Sequence, residues 1–100
     1  MKTKEIICRA IRERIVIKFT YDEETRIVEP FTLGYHKETG NLVLSAYQVG
    51  GYSKSQSEPA WRLYNVENIS KLSLTDKQAQ KHRKGYNPKD SRMLSIICTC

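Results

Sequence analysis

The residues best suited to chemistry in this chain are cations placed beside aromatic rings. In Trp61-Arg62-Leu63-Tyr64, strand alternation puts Arg62 and Tyr64 on one face. A guanidinium next to a ring suits phosphate contact combined with base stacking. Arg62 has a second reading, a structural salt bridge to an acidic residue such as Glu29, and both stay open at this point. Arg26, just before Val28-Glu29-Pro30-Phe31, is either a further phosphate contact or a solvated strand end. Tyr35, His36 and Lys37 gather at a hairpin mouth. No nucleophile or carboxylate pair accompanies His36, so surface contact fits it better than acid–base work. Tyr47 lines a binding face or packs. Lys54, in a Gly- and Ser-rich loop, either closes over a ligand or is a mobile lysine. Lys81, Arg83 and Lys84, with Tyr86 nearby, either grip a phosphate backbone or form a solvated basic segment.

Catalytic chemistry has little to draw on. Ser53, Ser55 and Ser57 show no nucleophile–base pattern, and no convergent acid, base and nucleophile set is visible. Cys98 and Cys100 form a lone C-x-C without the second ligand pair that makes zinc motifs specific. The reading is therefore a non-enzymatic protein with no metal and no cofactor. The cysteines, Cys8, Cys98 and Cys100, do not have the spacing of a disulfide-stapled secreted domain. They point to a reducing, cytoplasmic setting with Cys8 as a small core hydrophobe.

At 100 residues, 39% hydrophobic and 28% charged, the composition is that of one folded domain, which excludes a fibre or a wholly disordered chain. No apolar run approaches the roughly 20 residues of a membrane-spanning helix. Glu5, Arg9, Arg12, Glu13 and Arg14 interrupt the N-terminal segment too often for a signal peptide. The net charge of +6 is unevenly spread: +3 over residues 1–14, −2 over 15–76 and +5 over 77–100. The attraction to polyanions thus belongs to the flanks, and selectivity has to come from a few residues in a slightly acidic middle.

The elements that position these residues follow from periodicity. Ile6, Ile7, Ala10 and Ile11 recur at helical spacing, predicting an amphipathic helix from about Thr3 to Arg14. Ile15, Ile17, Phe19 and Tyr21 then alternate as a half-buried strand. After the polar turn Asp22–Glu24 comes TRIVEPFTLGYH, in which Pro30 marks an edge, bulge or bend. Lys37 to Gly40 reads as a hairpin loop with Gly40 at positive φ. The next strand, NLVLSAYQV, has Leu42, Leu44 and Ala46 on one face and Val43, Ser45 and Tyr47 on the other. GGYSKSQSEP is a loop. WRLYNV and ISKLSL are strands joined at Glu67-Asn68, with Trp61 expected in the core. Beyond Thr75 the chain turns polar and basic, with Asp76 a cap for one or two helical turns. MLSIIC is an extra strand or an oligomer contact.

Five short strands after one helix predict a small β-barrel. The runs AIRERIVIKFTY, RIVEPFTLGYHKETGNLVLSAY and WRLYNVENI, over about residues 5–75, resemble the WYL domain. This is a family of small bacterial and phage domains, usually the sensor of transcription regulators. Ala10-Ile11 matches its helix, Val28-Glu29-Pro30-Phe31 its second element, and Trp61-Arg62-Leu63 its closing F-R-L strand. Leu42-Val43-Leu44, followed by Ala46-Tyr47, falls where the name-giving W-Y-L belongs, with Leu42 and Val43 in place of Trp and Tyr. The resemblance implies an Sm-like, SH3-type barrel and binding of a nucleotide, an oligonucleotide or single-stranded nucleic acid. The expectation is a WYL-like domain over residues 1–76 with a basic C-terminal extension over 77–100. The expected function is a ligand-binding regulatory module, the alternative a protein-interaction or oligomerisation module that modulates a partner protein, with a homodimer among the expected partners and no membrane role.

Overall fold

The computed structural model of the chain describes residues 3–51, 60–79 and 93–99. Helix α1, Thr3–Glu13, buries Ile7, Cys8, Ala10 and Ile11, close to the stripe that the helical spacing marks out. On its exposed side Arg9 Nε donates to Glu13 Oε2 at 2.9 Å, an i,i+4 pair of small stabilising value. Arg14, at φ 53°, ends the helix in the left-handed conformation common just past a helix C-terminus.

Strand β1, Ile15–Tyr21, meets β2, Glu24–His36, through the pair Asp22 and Glu23. Both adopt the positive φ (52° and 65°) that a two-residue hairpin turn with this twist requires. Strand β3, Leu42–Gly51, follows the loop at Gly40, which takes the expected positive φ of 73°. Then come β4, Ala60–Asn65, a 3-10 turn at Val66–Asn68, and β5, Ser70–Gln78. The antiparallel order is β4-β3-β2-β1-β5, with β6, Met93–Thr99, paired to β2 off that path.

Three features of this order differ from the sequence expectation. The sheet has six strands rather than about five, because MLSIIC lies in β6. Strand β1 pairs with β2 only as far as Val28, which leaves the edge beyond Pro30 open for β6 from Thr32 to His36. Pro30 lies between the two partners at a register shift against β3, as its missing N–H suggested. Second, β4 and β5 are the two ends of the path, so the sheet is not closed by hydrogen bonds. Only the three-residue 3-10 turn and Ile69 nevertheless join them, and this obliges the sheet to curl round the core. Third, Asp76 caps no helix. It lies in β5, which runs on to Gln78.

Inside the curl, Ile7, Ile11, Ile17, Phe19, Val28, Leu33, Leu44, Ala46 and Tyr64 form the core under α1. Trp61 is not among them. Register places it beside Tyr47, on the face opposite Tyr64, where it packs half-buried at 4.9 Å from the Phe31 ring and 5.5 Å from Tyr47. The cysteine expectation is also corrected: Cys8 of α1 and Cys98 of β6 are disulfide-bonded, with Cα atoms 5.6 Å apart. Both lie where the helix packs on the last strand, so the shared apolar position that suggested a core thiol also brings the partner within reach.

Strand β6 lies so close to β2 that Gly34 has no room for a side chain. A Cβ there would come within 2.5 Å of the Ser95 carbonyl oxygen and 2.9 Å of Met93 Sδ. Gly34→Ala is expected to destabilise the fold by about 1–3 kcal/mol, because backbone must move to relieve the overlap. A thermal denaturation midpoint equal to that of the wild type would contradict this packing.

Candidate anion-binding site

At the end of the core lined by β1, β2, β3 and β4, apolar side chains give way to polar ones. Register pairs Phe19 with Arg26, Val28 with Gln48, Ala46 with Arg62 and Leu44 with Tyr64. Alternation therefore puts Arg26, Gln48, Arg62 and Tyr64 on one inner face with Tyr21. The sequence reading that Arg62 and Tyr64 share a face agrees with this register.

Gln48, 4% exposed, organises the cluster. Its Oε1 accepts from the Tyr64 hydroxyl at 3.2 Å and from Arg62 Nε at 3.4 Å, while its Nε2 donates to the Gly50 carbonyl at 3.1 Å. Tyr21 braces the other side. Its hydroxyl accepts from the Asn65 backbone N–H at 3.1 Å, and its ring lies 5.7 Å from the Arg26 guanidinium carbon. The Tyr64 ring is held edge-on by Phe19 and Tyr21, each with its centroid 5.0 Å away.

Two donors in this cluster are left over. Arg26 Nε and Arg62 Nη2 are buried and have no hydrogen-bond partner among the described residues. Arg26 as a whole is only 7% exposed, which corrects the reading of it as a solvated strand end. Nor does Glu29 pair with Arg62: it is opposite Tyr47, and so lies on the other face of the sheet. No salt bridge to either guanidinium forms among the described residues. Arg26 is buried and Arg62 half-buried; guanidinium N–H groups shut away from water are costly in isolation, and an oxyanion accepting from them offsets that cost.

Burial pushes the Tyr64 phenol pKa above its ordinary value of 10.0, outweighing the opposing charges of Arg26 and Arg62. As pH rises past about 10, an unfolded tyrosine loses its proton before the folded one does. The folded chain then binds more protons, so stability falls with rising pH. The urea midpoint is expected to drop above that pH, and Tyr64→Phe to reduce the drop. An identical pH profile for the two proteins would contradict the buried neutral phenol.

Of the described residues singled out in the sequence, Tyr35, His36 and Tyr47 lie away from the cluster. Tyr64 itself is 1% exposed, so its ring cannot stack on a base; only its hydroxyl serves the site. Tyr35 is exposed, and lies nine residues along β2 from Arg26, roughly 30 Å of strand. His36, beside it, accepts from the Glu38 backbone N–H through Nδ1 and shapes the hairpin turn. Tyr47 packs on Trp61 on the opposite face. Lys54, Lys81, Arg83 and Lys84 lie outside the described residues. Sequence reasoning missed Gln48 and placed Tyr21 only in a half-buried strand. The signal for Gln48 was present: it is two residues beyond Ala46, a polar side chain continuing the Leu42, Leu44, Ala46 face.

Among the described residues, no group of His, Cys, Asp and Glu is placed to hold a metal ion, and no helix is long and apolar enough to cross a membrane. Comparison with protein-family models, curated proteins and solved structures finds no match for this chain.

Proposed function

We propose that this chain is a non-enzymatic, WYL-like regulatory module that binds a nucleotide-type ligand or single-stranded nucleic acid through the Arg26–Arg62 cluster. The observation that carries this reading is the pair of buried guanidinium donors without partners among the described residues, Arg26 Nε and Arg62 Nη2. Guanidinium N–H groups shut away from water carry a desolvation cost that an acceptor offsets, and phosphate oxygens match guanidinium geometry. Support for an Sm-like, SH3-type barrel comes from the strand order and from the short 3-10 turn joining its two ends. The order of the Val28-Glu29-Pro30-Phe31 and Trp61-Arg62-Leu63 motifs supports the WYL likeness. In a cytoplasmic regulator, the Cys8–Cys98 bridge would be open to reduction.

Fluorescence polarisation with labelled short single strands tests the reading. Affinity is expected to fall steeply between about 50 and 200 mM salt, as phosphate contacts require. Absent binding, or binding indifferent to salt, would overturn it. A second reading, a protein-interaction or homodimerisation module, draws on the outer edges of β4 and β5, which no described strand pairs, and on exposed Leu74 and Ile96. Sedimentation equilibrium of the full chain separates the two, since the first reading requires no self-association.

A further inference from the structure

The ligand reaches the Arg26–Arg62 cluster by a terminal phosphate: we infer that this site is built for a phosphomonoester and not for an internal phosphodiester. The inference rests on the phosphate-binding reading above and narrows it to one chemical class.

The first argument is access. Arg26, Gln48 and Tyr64 are 7%, 4% and 1% exposed, so the orphan donors lie below the surface. A phosphomonoester carries one organic substituent and can enter head-on. A phosphodiester carries two, and both flanking sugars would have to be buried beside donors that lie below the surface.

The second argument is charge. The site holds two guanidiniums, and no carboxylate of the described residues forms a salt bridge with either. A phosphomonoester carries a charge of about −1.5 to −2 near neutral pH and has three terminal oxygens. A diester carries one negative charge, which compensates only one of the two guanidiniums, buried Arg26 and half-buried Arg62.

The third argument concerns the neighbours, which orient the cations without neutralising them. Gln48 Oε1 is already taken up by Arg62 Nε and the Tyr64 hydroxyl, so it fixes one edge of Arg62 and leaves Nη2 for the ligand. Gln48 Nε2 is committed to the Gly50 carbonyl. The Tyr64 phenol is neutral and adds no competing charge. The Tyr21 ring at the Arg26 guanidinium holds that side chain in place while its Nε stays unpaired. The arrangement is set before the ligand arrives, which favours a compact, highly charged group.

The test varies the ligand and leaves the full wild-type chain unaltered. Calorimetric titrations compare one short single strand in three forms: 5′-phosphorylated, 3′-phosphorylated and with hydroxyls at both ends. Nucleoside 5′-monophosphate, the free nucleoside and inorganic sulfate complete the series. A strand with a terminal phosphate is expected to bind about 10–100-fold more tightly than the dihydroxyl strand, the scale of losing hydrogen bonds to a charged group. Tight binding of the monophosphate without the strand identifies a free nucleotide as the source; preference for the phosphorylated strand identifies a strand end. Equal affinity for all three strand forms would overturn the inference while leaving the nucleic-acid reading intact. Sulfate binding as tightly as every phosphorylated compound would also overturn it, reducing the site to a general anion hole. No binding by any member of the series would remove both the inference and the reading on which it rests.

Discussion

Breaking the Cys8–Cys98 bridge is expected to lower the unfolding free energy by about 3–5 kcal/mol, the largest stability effect of any single change considered. The bridge joins residues 90 apart, so it closes nearly the whole chain into one loop. In the chain-entropy account, restricting so long a loop in the unfolded state gives a gain near the upper end of the usual range. The folded side points the same way. Strand β6 hydrogen-bonds to β2 alone, with register shifts around Gly34 and His36, and its other support is its packing against α1. Without the bridge, β6 keeps only these two supports. Urea denaturation with and without a dithiol reductant, or of Cys98→Ser, measures the loss. Hydrogen exchange should show β6 amides opening before those of β1 and β3. An unchanged midpoint on reduction would mean that the bridge does not tie the two elements in solution.

The second large effect has opposite signs in two measurements. Arg26→Met is expected to leave the ligand-free protein as stable as the wild type or more so, by about 1–2 kcal/mol. A buried cation lacking a full set of partners is replaced by an apolar chain of similar length. Part of the gain is offset by the lost contact with the Tyr21 ring. The same substitution is expected to weaken phosphate-ligand binding by on the order of a hundredfold, as truncating a buried charged contact does. An arginine with a purely structural role gives the reverse: lower stability and no change in binding. Denaturation midpoints and titrations on the same two preparations distinguish them.

Much of this was legible from local pattern. Ile15, Ile17, Phe19 and Tyr21 gave their strand and its inner face, because alternation depends only on neighbours in sequence. Gly40 and Pro30 marked a loop and a register shift, because their backbone limits are intrinsic. The alternation of Arg62 and Tyr64 was likewise readable, but which face of β4 lies inward was not. Trp61 looked like the core residue by size, yet Tyr64 occupies the core and Trp61 the opposite face. The choice is made by Leu44 and Ala46 across the strand pair. Strand β6 and the disulfide depend on contacts with residues some 60 to 90 positions earlier, and no local period carries that information. Arg26 illustrates the same limit. Its charge suggested a solvated strand end, and only the approach of β1 and β3 on either side buries it.

The central claim is that Arg26 Nε is an unsatisfied donor awaiting a phosphate oxygen, and nitrogen-detected NMR of the arginine Nε–H groups addresses it directly. Arg9 supplies an internal control, since its Nε already donates to Glu13 on the exposed face of α1. On titration with a nucleoside 5′-monophosphate, the Arg26 Nε–H resonance is expected to move downfield and gain protection from exchange, while the Arg9 resonance stays in place. If Arg26 Nε–H does not respond, or if both resonances shift together with surface lysines as bulk ionic strength alone would cause, the cluster is not the ligand site.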